Sequence, residues 1–220
     1  MVLTRDNIKG GFIRDMIEAG QGAVPFLSED ELQASRQEAI AAAPDGDIWV
    51  FGYGSLIWNP AFHHDERRIA RLHGFHRRFC LWTHLGRGTP DRPGLVLGLE
   101  RGGSCTGLAY RIARPSAEEE LDIVWRREMV SGAYSPRWVK LRIGRQSVTG
   151  LTFVINHEHP RYTGEIPEEE IVEAIADAAG PLGPCAEYLF NTVGRLRQIG
   201  IYDAPLEQLA NGVRARLDAV

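Results

Sequence analysis

From residue 48 to residue 155 the chain consists of short apolar runs that break at glycine, and this alternation constrains the fold more than any other feature. Residues 48–51 read as a strand that stops at Gly52, and "RIARLHGFHRRFCLW" reads as strand-like, interrupted by Gly74. "GLVLGLE" and "CTGLAYRI" flank residues 101–104, where Gly102-Gly103 suits a hairpin turn. "WVKLRI" and "VTGLTFVI" make a second hairpin around residues 144–147. About five or six short strands with few crossover helices predict a mainly antiparallel sheet, curled or closed into a small barrel.

The flanks are helical, so the class is α+β. Residues 1–47 read as a helical extension ahead of a domain spanning 48–220. In "LSEDELQASRQEAIAAA", Ser28 and Glu31 form a capping box, and the helix runs out at Pro44 and Gly46. Towards the other end, Pro167 and Pro184 sit where helices begin, and Gly180 and Gly200 where helices end. Asp203 caps the last helix, with Pro205 in its first turn. The sequence leaves open whether the extension braces the barrel, mediates dimerisation or moves freely, and it does not define the oligomeric state.

At 220 residues the chain is long enough to bury a substantial core. Twenty-five Lys and Arg against 29 Asp and Glu give a net charge of −4, which offers nothing to nucleic acid or an anionic membrane. No apolar run approaches the roughly 20 residues of a membrane span, and the first twenty residues lack the apolar stretch of a signal peptide. Three cysteines without CxxC spacing fit reduced thiols, and a cytoplasmic location is expected.

Two anomalies carry the candidate chemistry. One is Gly52-Tyr53-Gly54-Ser55, followed at once by Leu56, Ile57 and Trp58. It lacks the third glycine of a dinucleotide fingerprint, the Lys-Ser/Thr of a phosphate loop and the flanking glycines of a nucleophile elbow. Either it is a tight turn into a packed apolar segment, or its backbone N–H groups face a small anion such as a carboxylate. The other lies in "RPSAEEELDIVWRREM", read as a helix whose capping box is Ser116 with Glu119. Leu121, Val124 and Trp125 set its apolar stripe, and Glu128 returns to within about 20° of Leu121 after seven residues. Glu128 is then either a helix-end partner for a nearby arginine or a desolvated carboxylate with a raised pKa, suited to general-base work.

Other polar groups say less. His157-Glu158-His159 lacks a matched third ligand and reads as loop residues, His63-His64 and His73/His76 read the same way, and no metal or other cofactor is expected. The arginines of residues 67–78 read as a solvated strand face, with one of them free to bind a substrate carboxylate.

Taken in order, "VFGYGSLIWNP", "LHGFHRRFCLW", "RGTPDRPGLVLGL", "GLAYRI", "LDIVWRREMVSGAY" and "EYLFNTVGRLRQIGIYDAPLEQL" resemble the ChaC-type γ-glutamylcyclotransferases, over roughly residues 48–210. The resemblance implies the small mixed, mainly antiparallel barrel of that family. It also implies cofactor-free cleavage of a small molecule, glutathione, into 5-oxoproline and cysteinylglycine. It makes Glu128 the catalytic glutamate and the loop Tyr53, Gly54, Ser55, Leu56, Ile57 and Trp58 the holder of the γ-glutamyl group. Tyr134 and Tyr188 would line the pocket, and Glu119 matches a second family glutamate. One departure is "REMVSGAY", where many members have a shorter "REKGGY", a change that bears on Tyr134 and the outer half of the substrate. Two alternatives remain: a cyclotransferase for other γ-glutamyl amines or amino acids, and a non-catalytic regulator of cation transport.

Overall fold

The computed structural model describes residues 3–19 and 26–219. Three helices precede the sheet: α1 (Arg5–Lys9), α2 (Phe12–Ala19) and α3 (Glu29–Ala41). At the start of α3 the Ser28 hydroxyl accepts from the Glu31 N–H at 3.2 Å, and the Glu31 carboxylate accepts from the Ser28 N–H at 2.7 Å. This is the box expected from the sequence.

Five strands follow: β1 (Ile48–Gly52), β2 (Glu66–Thr83), β3 (Gly94–Ile112), β4 (Tyr134–Ile143) and β5 (Gln146–Ile155). They close into a barrel in the order β1-β3-β2-β4-β5. Every pair is antiparallel except β1 with β5, where Trp49 and Val50 run parallel to Gly150 and Leu151. β1, lying between β3 and β5, is almost wholly buried and correspondingly reads as a continuous apolar run.

The sequence reading needs correction at Gly102-Gly103. No hairpin turn forms there, because β2 and β3 are single strands of 18 and 19 residues. The register passes from His73 opposite Ser104 to Phe75 opposite Arg101, so two glycines face the single Gly74. Their φ angles, 98° and 65° against 84° for Gly74, are left-handed. The glycines therefore make a bulge that bends a long pair of strands instead of reversing the chain. The β4–β5 hairpin does form, with Gly144 and Arg145 as its two-residue turn.

Helix α4 (Ala117–Glu128) connects β3 to β4 after a 3₁₀ turn at Arg114–Ser116. The expected Ser116–Glu119 capping box is absent. Pro115 belongs to that turn, and Ser116, at φ −95° and ψ −4°, is already near-helical. A capping serine needs an extended backbone to aim its hydroxyl at the next turn, and Ser116 makes no such bond.

The remaining elements are α5 (Glu168–Asp177), a two-residue pairing of β6 (Ala179–Gly180) with β7 (Gly183–Pro184), α6 (Cys185–Gln198) and α7 (Ala204–Asp218). Pro167 and Pro184 stand immediately before α5 and α6, and the Asp203 carboxylate accepts from the Leu206 N–H at 3.2 Å.

Trp125 of α4 sits edge-on to Phe153 of β5, 5.3 Å between ring centres, and its indole N–H donates to Ser35 of α3 at 3.2 Å. Ile8, Ile13, Ile17 and Leu32 belong to the same buried cluster as the barrel residues. Each fully buried aliphatic side chain of this kind contributes about 1.5–3 kcal/mol, so α1, α2 and α3 are packed onto the core. Among the described residues, no helix is long and apolar enough to cross a membrane.

Candidate active site

β1 ends where the glycine turn begins. Tyr53 sends its hydroxyl across the barrel end to the Phe153 carbonyl at 2.9 Å. Residues 55–57 then form one 3₁₀ turn, closed by Ile57 N–H to Gly54 O at 3.0 Å and Trp58 N–H to Ser55 O at 3.2 Å. Tyr110 clamps the turn from β3 by donating to the Leu56 carbonyl at 2.7 Å. Such a turn gives its first N–H groups, those of Ser55 and Leu56, no partner within itself. Gly54 is needed for space, because a Cβ there would lie 2.9 Å from the Tyr188 hydroxyl.

Glu128 is the last residue of α4, and its side chain is 15% exposed. Oε1 is buried without a hydrogen-bond partner, and the Arg127 Nε lies 3.2 Å away. Burial pushes the Glu128 pKa above its ordinary value, opposed by the Arg127 charge. Arg127 donates to the Asn59 carbonyl, and burial lowers its own pKa. The two directions share one cause, desolvation of an ion pair whose geometry is short of a good hydrogen bond.

Three tyrosines lie near this carboxylate. Burial, with Tyr134 and then Glu128 adding to it, pushes Tyr53 well above its ordinary value. Tyr134 is raised by burial, then by Tyr188 and Glu128, and Tyr188 by burial and then Glu128. All three therefore stay protonated at neutral pH. Tyr134 donates to the Leu97 carbonyl at 2.8 Å, and Tyr188 stands edge-on to Trp58 with ring centres 6.1 Å apart.

Glu128, Tyr53, Gly54, Ser55, Leu56, Trp58, Tyr134 and Tyr188 all line one cavity of about 260 Å³. Ile57 does not; it is 1% exposed and turned into the core. Glu119 does not line the cavity either. It is an exposed partner of Arg5 and Lys9, at 2.9 and 2.7 Å. Among the described residues, no three His, Cys, Asp or Glu side chains converge as a metal-binding group. His157 instead meets Glu100 at 2.7 Å and His159 the Ser131 carbonyl at 3.0 Å.

Several site residues escaped the sequence reading. Leu3, Ile13, Met16 and Ile17, from the segment before β1, form part of the cavity wall. Arg87 and Arg161 line it as well, as does Arg127, which the sequence had offered as a helix-end partner of Glu128. Within residues 67–78 the solvated-face expectation fails at Arg77, which is 7% exposed. Arg77 donates to the Tyr53 carbonyl at 2.8 Å and to the Thr106 carbonyl, with Asp203 3.2 Å from its Nε. It shares a strand face with Phe79, and that two-residue period was the available signal.

Residues 48–216 match the family model described as ChaC-like protein. The glutathione-specific γ-glutamylcyclotransferase of Escherichia coli is 41% identical over 98% of this chain and 94% of its own length. That similarity takes in the helices before β1, which the family model leaves out. Gamma-glutamylcyclotransferase 2-3 of Arabidopsis thaliana is 34% identical, covering 76% of this chain and 88% of that one. A crystal structure of a yeast γ-glutamylcyclotransferase specific to glutathione superposes with a TM-score of 0.72 at 24% identity, covering 78% of this chain and 97% of that one. The likeness in fold thus reaches beyond close sequence similarity, and the chain belongs to the ChaC-like family.

Proposed function

We propose that the protein is a γ-glutamylcyclotransferase that cleaves glutathione into 5-oxoproline and cysteinylglycine. The observation that carries this reading is the convergence of Glu128 and the glycine turn on one cavity. A γ-glutamyl head seated there has its α-carboxylate or its developing oxyanion within the field of the Ser55 and Leu56 N–H groups. Its ammonium group gives a proton to Glu128, a carboxylate made more basic by burial. The freed amine attacks the γ-carbonyl, and a five-membered lactam closes. The attacking nitrogen loses its second proton as the C–N bond to cysteine breaks, and the departing nitrogen takes up both protons by way of Glu128, so that the cysteinyl amine leaves as an ammonium.

Because nucleophile and electrophile belong to one molecule, positioning supplies much of the acceleration. The protonated hydroxyls of Tyr53 and Tyr134 are already committed to backbone carbonyls, which fixes the rings as walls. No thiol competes for the role of nucleophile: Cys80, Cys105 and Cys185 are all buried, and burial raises the pKa of each, to about 12 for Cys80 and about 11 for Cys185. Three unpaired cysteines also fit a cytoplasmic setting. The direct test is release of 5-oxoproline from glutathione by the purified protein, with a γ-glutamyl-alanine control. The expected outcome is release with a preference for glutathione; no release from glutathione overturns the assignment.

A further inference from the structure

The three arginines of the cavity wall are not equivalent. Arg87 has Glu187 at 2.6 Å and Arg127 has Glu128 at 3.2 Å. Arg161 has no carboxylate within 4.0 Å among the described residues; its partners are neutral, the Trp82 carbonyl at 3.3 Å and the Ser131 hydroxyl at 2.5 Å. Its Nε is buried without a hydrogen-bond partner. A guanidinium carries five N–H donors, and among the described residues two protein groups accept from this one. Holding a cation in a partly dry wall without an anion is unfavourable unless an anion arrives from outside.

The surroundings of Arg161 reinforce this. His84 and His159 both have lowered pKa values, through burial first and the Arg161 charge second, and so stay neutral. His159 donates from Nε2 to the Ser131 carbonyl at 3.0 Å and accepts the Arg161 backbone N–H at Nδ1, 3.2 Å. Ser131 belongs to the "REMVSGAY" segment, so that loop and the loop after β5 are clipped together around one guanidinium. Tyr134, at the start of β4, is close enough to feel both Glu128 and Arg161.

Resting on the γ-glutamylcyclotransferase reading above, we propose that Arg161 is the receptor for the free carboxylate at the departing end of a γ-glutamyl peptide. The cavity then recognises its donor at two poles: the γ-glutamyl head at the turn and Glu128, and the C-terminal carboxylate at Arg161. The planar fork of arginine suits bidentate capture of a carboxylate, and Ser131 acts as its positioning residue. Donors that lack the terminal carboxylate leave Arg161 desolvated and unpaired, and lose affinity for that reason.

The test compares glutathione with its glycine-amide, following 5-oxoproline from both with the full-length protein. The parent is expected to prefer glutathione by about tenfold to a hundredfold in kcat/KM, with the difference mainly in KM. In Arg161→Met that preference collapses towards one, because KM for glutathione rises. Ser131→Ala narrows it partially, and Arg161→Lys keeps a reduced preference because it retains charge but not the fork. Should Arg161→Met fail to fold, the ratio in Arg161→Lys decides, and an undiminished parental ratio there overturns the assignment. An unchanged ratio in folded Arg161→Met overturns the role of Arg161 alone. A parent that releases 5-oxoproline from neither donor overturns the cyclotransferase reading with it.

Discussion

Helix α4 presents Glu119 and Glu120 in its first turn and Glu128 at its last residue, and these carboxylates meet opposite surroundings. At the first end, Glu119 is exposed and held by Lys9 and Arg5, whose hydrogen bonds lower its pKa. Its neighbour Glu120 is 3% exposed, yet it binds both Arg5 Nη groups and accepts the His63 backbone N–H at 2.8 Å. At the far end, Glu128 has a single arginine at poor geometry and a buried oxygen with no hydrogen bond. Burial alone therefore does not fit a carboxylate to the proposed role of base, since Glu120 is buried and fully bonded. What distinguishes Glu128 is burial without satisfaction, beside a cavity that a substrate can fill. The helix N-terminus adds to the contrast by favouring negative charge at the first end only.

The largest break in this comparison is Glu128→Gln. Loss of the proton acceptor is expected to cut 5-oxoproline release by about a hundredfold to ten-thousandfold, with the fold retained by circular dichroism. Near-parental activity in the folded variant would remove Glu128 from the mechanism. The same pair of proteins reports on stability. A raised carboxyl pKa means that the native state binds its proton more tightly than the unfolded chain. Parental stability therefore falls as pH rises from the ordinary value of 4.5 through the folded value. Glutamine has no such loss, so urea melts should show the variant gaining on the parent above pH 4.5. Leaving Arg127 without its carboxylate subtracts from the variant but does not alter that direction.

Glu128 could be picked out from sequence because helical periodicity places it on the stripe of Leu121, Val124 and Trp125, which the structure buries. The β-rich core was legible for a similar reason: alternating runs and the Gly144 turn are local signals. Residues 102–103 misled because two adjacent glycines describe a turn and a bulge equally well, and only the partner strand distinguishes them. Ser116 misled because a proline-led 3₁₀ turn had already set its backbone. Arg87, Arg161 and the apolar wall from α2 were out of reach for a different reason. Their roles come from contacts across the chain, such as Arg87 with Glu187 and Arg161 with Ser131, which no window of sequence contains.

A second way to sharpen the contrast is Glu120→Ala, which should act on stability before chemistry. It leaves Arg5 and the His63 N–H without their buried acceptor, and a loss of about 2 kcal/mol is expected in urea melts. Because Arg5 ties α1 to α4, the amide hydrogens of Ile8 and Asp15 should exchange faster in the variant. Unchanged exchange would mean that apolar contacts such as those of Ile8 and Ile13, not the ion pair, hold the segment in place.

The smallest effect belongs to Glu119→Gln. Glu119 and Lys9 are exposed, added salt screens the pairing, and Arg5 keeps Glu120, so activity should stay within about tenfold of the parent. The sign of its pH dependence is opposite to that of Glu128. Its folded pKa is lowered from 4.5, so its contribution is present above that value and is lost as pH falls through the folded value. Melts of parent and Glu119→Gln should accordingly converge in acid, where those of parent and Glu128→Gln change in the other sense. A thousandfold loss of activity in Glu119→Gln would contradict the assignment of chemistry to one end of α4. The first end would then act on the reaction through α1 and the cavity wall of Ile13, Met16 and Ile17.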